Sequence, residues 1–366
     1  MINIAFMGDI CPGGVLTFSG GVSSEVIEYL DKFDIRVATL ESAIGDGSVK
    51  CHVKMSDPSL GNIIYSPDGS ISILKRLNID AVSIANNHVC DLDLAGLRHT
   101  IELLDANGIA HFGAGVNKEE AEKPAFIYTK GYKVCLLSYF PPNWEASYPP
   151  SENEGGLNHF NIDKVLDDIK KYKSLCDYLF VMPHWGLEYS RFPYVKDLEN
   201  AKRMIMSGAD GVVGSHTHIV QPMIKYRGKI IATSLGNFLF PDRYIVPPRQ
   251  TYYPNKDFFV MGGGISVPIT YGFPIVTTLT LKIIKPVARI GVICTVTLDG
   301  SSQSFRKRFT LLNSENWLRL YNESKFIRAK LFAIGIIMKS SFCYKVYNKF
   351  IQILRRTNKK LNKIWS

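Results

Sequence analysis

Five short apolar runs in this sequence each end at a carboxylate, an amide or an imidazole. The runs and the polar residues that follow them are Ile2–Met7 with Asp9, Ile35–Leu40 with Glu41, Ile79–Ala85 with Asn86, Asn87 and His88, Asp177–Pro183 with His184, and Asp210–Val213 with His216 and His218. Apolar runs of this length, bounded by glycine and polar residues, are typical of buried parallel β-strands. Because ligand sites in open α/β sheets lie at the carboxyl ends of the strands, we expect these polar side chains to meet.

Helical patterns alternate with these runs. Apolar residues recur at helical spacing over Asn161–Leu175, and shorter helices are predicted over Ser23–Phe33, Asp68–Leu77 and Leu198–Met206. A chain in which strands and helices alternate is expected to form an α/β fold.

The chain of 366 residues is long enough for one large domain with an appendage, or for two domains. Phe258–Leu298 is rich in β-branched residues, and after Gly300 the pattern becomes helical and basic. We therefore predict a single domain over residues 1–300 and a mainly helical, amphipathic tail over residues 301–366.

The positive charge of the chain is concentrated in this tail. The net charge is +10, yet residues 301–366 carry 15 Lys and Arg against two acids, and the preceding residues have a small excess of acids. This distribution predicts an anionic partner for the tail alone. Three alternatives remain for the tail: a solvated surface packed on the domain, contact with an anionic membrane, and nucleic-acid binding, which is disfavoured because no recognition fold accompanies the charge. The membrane alternative would bury Phe332, Ile334, Ile336, Ile337 and Trp365.

The seven cysteines are scattered and never spaced as Cys-x-x-Cys, so neither a disulfide framework nor a zinc knuckle is indicated. The first residues lack the pattern of a signal peptide, and the apolar run Leu331–Met338 is too short to span a bilayer. These features predict a soluble, cytoplasmic protein, with peripheral attachment to the inner face of the membrane if the tail binds lipid.

Gly45–Pro67 has no clear period and contains several Gly, Pro and Ser residues. Unstructured loops of this length inside a domain are usually functional or disordered, so we interpret this stretch as a lid or substrate loop.

The polar residues at the strand ends form a donor set with a recognisable chemistry. Carboxylate, imidazole and amide oxygen together suit divalent Mn, Fe or Zn, and there are enough donors for two ions. Two-metal sites commonly hydrolyse phosphate esters, which predicts an anionic or phosphate-containing substrate. Glu41 would bridge the ions, and His88, beside Asn87, would be free to protonate a leaving group or contact a phosphoryl oxygen.

Eight motifs follow one another within roughly residues 1–240: Gly8-Asp9, Leu40-Glu41-Ser42, Ala85-Asn-Asn-His88 with Asp91, Gly113-Ala-Gly115, His184-Trp-Gly-x-Glu188-Tyr189, Gly208-Ala-Asp210, Gly214-x-His216-x-His218 and Ser234-Leu-Gly-Asn-Phe238. In type and order this set resembles the bacterial capsule-synthesis family, of CapA or poly-γ-glutamate capsule type, within the calcineurin-like metallophosphatases.

The resemblance implies a four-layer α/β/β/α sandwich and a role in capsule or exopolysaccharide production. It implies His88 as the catalytic or substrate-contacting residue. The implied metal ligands are Asp9, Glu41, Asn87, His184, His216 and His218. The residues implied to support these ligands or to contact substrate are Asn86, Asp91, Trp185, Glu188 and Asn237.

Departures from the wider superfamily keep two functions open. Cys11 stands where those phosphatases have histidine, Glu41 replaces a bridging aspartate, and Ser215 stands where relatives often have histidine. One metal position is therefore expected to be weak, or the site to hold a single ion. The first hypothesis is a metal-dependent hydrolase of the phosphoesterase type, and the second is a non-catalytic assembly subunit that docks on a membrane-bound capsule synthase.

Overall fold

The computed structural model describes residues 1–57, 60–142, 148–253, 265–268, 279–300, 302–322 and 325–339. Within them, the strands in chain order are β1 Ile2–Ile10, β2 Gly21–Val22, β3 Ile35–Leu40, β4 Ala43–Ile44, β5 Tyr65–Ser66, β6 Ala81–Ser83, β7 Ala110–Phe112, β8 Ala114–Gly115, β9 Ala125–Thr129, β10 Tyr132–Tyr139, β11 Gly156–Leu157, β12 Tyr178–Pro183, β13 Gly211–Val213, β14 Met223–Tyr226, β15 Lys229–Ala232, β16 Asn237–Leu239, β17 Arg243–Val246, β18 Gln250–Tyr252, β19 Ile265–Pro268, β20 Thr280–Ile283, β21 Ile290–Asp299, β22 Ser302–Leu312 and β23 Trp317–Tyr321. The α-helices in the same residues are α1 Ser24–Leu30, α2 His52–Ser56, α3 Ile71–Arg76, α4 Asp93–Ala106, α5 Lys118–Glu122, α6 Ile162–Lys173, α7 Val195–Met206 and α8 Lys325–Lys339.

Two large sheets form the body of the fold. The first has the order β2-β23-β22-β21-β1-β3-β6-β7, with β16 also paired to β1, and the second has the order β14-β15-β13-β12-β10-β9. In the first sheet β1, β3, β6 and β7 are parallel, and in the second β10, β12, β13 and β15 are parallel. The predicted strands therefore occur, and they are divided between two sheets.

Alternate residues of the central strands enter different cores, as the two-residue period of a strand requires. On β1, Ile4 and Phe6 pack against Phe180 and other residues of the second sheet, whereas Ala5 and Met7 pack toward α1 and α4. On the far side, the second sheet packs against α6, α7 and the buried residues of α8. The layer order is helix, sheet, sheet, helix, which is the predicted sandwich.

The helical tail predicted to begin after residue 300 is wrong for residues 302–321. β22 pairs antiparallel with β21 along ten residue pairs, from Ile290 with Leu311 to Asp299 with Ser302, and β23 pairs with β22. The predicted division at residue 300 would cut this hairpin. Helix α8 follows, and residues 340–366, the remainder of the predicted tail, lie outside the described residues.

Helix α7 begins beside the turn that follows β12 and carries a perturbed carboxyl group. Among the described residues, Asp197 Oδ2 is buried without a hydrogen-bond partner, and it lies near Gly186. Burial raises the pKa of Asp197 from 3.8 to about 7, despite the opposing effect of the Tyr194 backbone N–H. The folded state therefore favours the neutral carboxyl group, and stability from this group is lost as the pH rises from about 4 to about 7.

We expect Asp197→Asn to stabilise the protein at pH 8 by about 1–3 kcal/mol, with a smaller gain at pH 5, because the amide cannot ionise. Urea unfolding at both pH values measures this difference. The matched control is Asp163→Asn, which changes an exposed aspartate in the first turn of α6. A gain of the same size at pH 5 and pH 8 would contradict the assignment.

Candidate metal centre

The six predicted ligands converge where parallel strands of both sheets end. Asp9 lies near the end of β1, Glu41 directly follows β3, and Asn87 lies in the turn after β6. His184 follows β12, and the two remaining histidines follow β13. All six side chains are buried. The site is thus built from neighbouring strand ends rather than from one contiguous segment.

A close approach of two strands positions Asp9. A Cβ added to Gly8 would lie 1.8 Å from the carbonyl oxygen of Gly236, so a larger residue would separate β1 from the segment leading into β16. The Asp9 backbone N–H donates to the Gly236 carbonyl oxygen at 3.1 Å, and Asp9 pairs in register with Asn237. Gly8 therefore permits the close approach of the two segments that positions the Asp9 carboxylate in the site.

The turn after β13 is held in an uncommon conformation. His216 and His218 have φ angles of +88° and +58°, in the region that residues with a side chain rarely adopt. Such a backbone costs about 1–3 kcal/mol per residue and persists only where surrounding contacts fix it. The His216 N–H lies 3.3 Å from Asp9 Oδ2, and Thr217 Oγ1 donates to the Ile219 carbonyl oxygen at 2.9 Å.

Two groups of potential ligand atoms share Glu41. One comprises Glu41, His184 and His216, the other comprises Asp9, Glu41 and His218, and the ligand atoms within each group lie within 4.8 Å of one another. Glu41 Oε1 is 3.5 Å from His184 Nε2, and Glu41 Oε2 is 3.7 Å from His218 Nδ1. The two oxygens of one carboxylate therefore face different groups, which is the arrangement of a bridging ligand.

The first group is compact enough to surround a single ion. His184 Nε2 lies 3.0 Å from Asn87 Oδ1 and 3.1 Å from His216 Nδ1. Tetrahedral ligands at zinc-like bond lengths are separated by about 3.4 Å, which is close to these distances. Asn87 thereby supplies this group with a fourth potential donor.

The electrostatics of the centre also fit a divalent cation. Burial and the nearby Glu41 carboxylate raise the pKa of Asp9 well above its usual range. Burial and the neighbouring imidazoles lower the pKa values of His184 and His216, so both rings are neutral and offer a lone pair. A bound cation would offset the repulsion between the two carboxylates, and the mixed oxygen and nitrogen donors suit Mn, Fe or Zn.

His88 lies beside this centre in a separate hydrogen-bond network. Its Nδ1 is 2.6 Å from Asp91 Oδ2, and Asp91 Oδ1 accepts from Lys54 Nζ, also at 2.6 Å. Burial raises the pKa of Asp91 to about 6 against the opposing effect of Lys54, and burial followed by the Lys54 charge lowers the pKa of His88. The network fixes the orientation of the imidazole and leaves Nε2 for other contacts.

Lys54 belongs to α2, inside the stretch predicted as a lid or substrate loop. Its side chain is fully buried, and Nζ also donates to the Asn87 carbonyl oxygen at 2.7 Å. The sequence does not single out this residue, because its stretch has no period and its partners Asn87 and Asp91 lie more than 30 positions away.

The supporting residues occupy different places. Asn237 Oδ1 lies 2.9 Å from His218 Nδ1, and Asn86 donates to the Leu40 carbonyl oxygen and accepts from the His88 N–H. Trp185 instead packs into the core of the second sheet and donates to the Thr233 carbonyl oxygen. Glu188 is half-buried, and burial raises its pKa against the opposing charge of Lys282.

Two of the three departures from the superfamily, Cys11 and Ser215, have different consequences. Cys11 is buried in a small apolar cluster, its Sγ lies 4.0 Å from Ser66 Oγ, and burial raises the pKa of the thiol. Within the described residues Cys11 joins neither ligand group. Ser215 contacts a predicted ligand, since its Oγ lies 2.9 Å from His184 Nδ1.

Comparison with known proteins gave matches over much of the chain. A family model described as bacterial capsule synthesis protein PGA_cap matches residues 3–242. The PGA biosynthesis protein CapA of Bacillus subtilis is 28% identical over 248 residues, covering 66% of this chain and 63% of that protein. The capsule biosynthesis protein CapA of Bacillus anthracis is 30% identical over 181 residues, covering 48% of this chain and 44% of that protein. The matches thus span less than two thirds of the length of either relative.

One solved structure similar to this chain is the calcineurin-like phosphoesterase YfkN of Bacillus subtilis. It is 12% identical, with coverage of 92% of this chain and 98% of that chain at a TM-score of 0.43. A likeness of this size does not define the fold, which rests on the strand order and packing of the two sheets.

Proposed function

The chain belongs to the bacterial capsule synthesis protein family, and from this membership and the site geometry we propose that it is a metal-dependent hydrolase of the phosphoesterase type that acts in the production of an anionic capsule polymer. The observation that carries the proposal is Glu41, whose two oxygens face two separate groups of buried potential ligands. Such sharing is expected of a two-metal hydrolytic site.

Each residue of the centre has a distinct role in this proposal. One ion would be held by Glu41, Asn87, His184 and His216. The other would be held by Asp9, Glu41 and His218. When bound, such ions polarise a substrate oxygen and lower the pKa of an attacking water. His88 has its Nδ1 fixed by Asp91, so its Nε2 is placed to exchange a proton with a leaving group.

We expect His88→Asn to lower kcat by about 10²–10⁴-fold, the usual contribution of a positioned acid or base, while metal content stays unchanged. The measurement is hydrolysis of aryl phosphate mono- and diesters with Mn, Fe or Zn, together with elemental analysis. His99→Asn is the matched control, because His99 is exposed and pairs with Asp68 outside the centre. Wild-type turnover in His88→Asn would remove His88 from the mechanism.

Cys11 favours a second candidate function, a non-catalytic assembly subunit of a capsule or exopolysaccharide synthase. Its neutral, buried thiol adds no donor to the Asp9 group, which is compatible with a single structural ion. One metal per chain without turnover on either ester would favour this candidate. Two metals with turnover that depends on His88 would favour the hydrolase.

Synthase subunits as partners and a cytoplasmic location stay predictions, as does contact between the tail and an anionic membrane. Ile334, expected to face lipid, is instead buried with Met338 in the core of the second sheet, whereas Phe332 on the same helix is 70% exposed. Trp365 and the side chains of Ile336 and Ile337 lie outside the described residues. Among the helices that the structure describes, none combines the length and apolarity needed to cross a bilayer.

A further inference from the structure

Two buried cations face each other across a small sheet near the metal centre. This sheet has the strand order β18-β17-β20-β19, and Arg243 of β17 pairs in register with Lys282 of β20. The two residues are only 4% and 6% exposed. Directly opposite residues of an antiparallel pair project from the same face with their Cβ atoms about 5 Å apart.

The burial pattern of β20 is the reverse of the usual one. Thr280 and Lys282 occupy its buried positions, whereas Leu281 and Ile283 are only half-buried. On β17, Arg243 shares the buried face with Ile245. A strand that turns its lysine inward and its aliphatic residues outward gives up apolar burial, which indicates that this face serves a purpose other than packing.

The cation pair carries an electrostatic cost in the described part of the chain. Arg243 Nε and Nη1 are buried there without a hydrogen-bond partner. The adjacent Asp242 pairs with Arg289 instead. Burial and then the Arg243 charge lower the pKa of Lys282, and Glu188 opposes this effect. The Glu188 carboxylate lies near both buried cations, and like charges placed opposite each other are destabilising.

A chain of ring contacts links Arg243 to the metal centre. The Arg243 guanidinium lies 5.5 Å from the Phe240 ring centroid, and the Phe240 ring lies 5.1 Å from the His218 ring. On another side, Tyr189 lies 5.7 Å from the His218 ring and carries Lys285 Nζ at 4.0 Å from its centroid. Arg243 and Lys285 therefore border the side of the centre that His218 occupies, and Lys282 is the residue opposite Arg243.

We propose that Arg243 and Lys282 form an oxyanion subsite beside His218, which binds one carboxylate or phosphate group of the substrate. A guanidinium with two uncommitted N–H groups matches the two oxygens of such an anion, and the opposing ammonium adds a second charge. The assignment rests on the proposed function, since the anion is taken to belong to the substrate of the metal centre. The proposed subsite adds that the substrate carries a negatively charged group next to the bond that is hydrolysed at the metal centre.

The test measures binding to Mn²⁺-loaded protein, without turnover. Calorimetric titrations use two probes, a short oligomer of γ-linked glutamate and inorganic phosphate. We expect Arg243→Met to weaken binding at least tenfold with unchanged metal content, and Arg243→Lys, which keeps the charge but not the paired N–H groups, to recover part of the affinity. The control is Lys225→Met, which removes an exposed lysine on β14.

The two probes distinguish the source of the anion. A loss confined to the glutamate oligomer assigns the subsite to a polymer carboxylate, and a loss of phosphate binding assigns it to a phosphate group. Either result supports the subsite. Wild-type affinity of Arg243→Met for both probes would overturn it.

Thermal unfolding separates this effect from misfolding. Removing an unpaired buried guanidinium should not lower the melting temperature of the protein without anion below that of the wild type. The rise in melting temperature on addition of the probe that binds should be smaller in the variant than in the wild type. If Arg243→Met does not fold, the same titrations are made with Lys282→Met. Weakened binding by that variant would support the subsite, and wild-type binding would refute it. An inactive protein that binds the oligomer through Arg243 would refute the hydrolase while upholding the subsite.

Discussion

His216→Ala is expected to remove at least one divalent ion per chain and to reduce ester hydrolysis to background. His216 and His184 belong to the same ligand group, with His216 Nδ1 3.1 Å from His184 Nε2. Loss of His216 would leave this group with one imidazole instead of two. Asn87→Ala should have the same two effects, because Asn87 supplies the amide oxygen 3.0 Å from that nitrogen.

Metal content by elemental analysis and turnover under Mn, Fe and Zn measure these losses together. Because His216 has a positive φ, His216→Gly serves as a second variant that removes the imidazole without the steric cost of that backbone. His159→Ala, which changes a half-buried histidine outside both ligand groups, is the control. Full metal content in His216→Ala and His216→Gly would exclude this residue as a ligand.

Lys54→Met is expected to destabilise the protein by about 3–5 kcal/mol, the usual cost of removing one partner from a buried ion pair. The Lys54 and Asp91 side chains are 0% and 1% exposed, and their charged atoms lie 2.6 Å apart. Loss of the ammonium would leave the Asp91 carboxylate buried beside the His88 ring, whose lowered pKa keeps it neutral at pH 8. Chemical denaturation at pH 8, where Asp91 with its pKa of about 6 is ionised, measures the full effect.

A double-mutant cycle tests this explanation. Lys54→Met/Asp91→Asn should be less destabilised than the sum of the two single variants, because the second change removes the uncompensated charge. For comparison, Lys170→Met breaks an exposed pair with Asp167 and should cost no more than about 0.5 kcal/mol. Additive single effects in the Lys54 and Asp91 cycle would show that the two side chains stabilise the fold independently.

The sequence predicts those residues of the metal centre that lie at or directly after the ends of regular strands. Asp9, Glu41 and His184 each come at or just after an apolar run, and the topology of parallel strands brings such positions to one edge. The alternation of helices and strands was also predictable, since helical and strand periods are local properties of the sequence, whereas the layer order was implied only by the family resemblance. What was predicted was the set of strand ends, and not the distances between them.

Residues outside this pattern were missed for a physical reason. Lys54 and Arg243 look like ordinary surface cations in sequence, because long charged residues are mostly exposed. Only the packing of distant segments shows that both are buried, and Lys54 meets Asp91 across 37 positions. The error in the tail is similar, because β22 carries Arg306, Lys307 and Arg308 in succession and becomes a strand through pairing with β21.

The order in which the chain is synthesised has a consequence for the centre. β1 carries Asp9 and is made before β21, which spans Ile290–Asp299, yet in the finished sheet β1 lies between β3 and β21. Until those residues leave the ribosome, one edge of an almost wholly buried strand stays open, and such edges readily pair with other chains. The segment matched by the family model ends at residue 242, before β21 begins, so it contains the predicted ligands but lacks the strand that closes the sheet beside them.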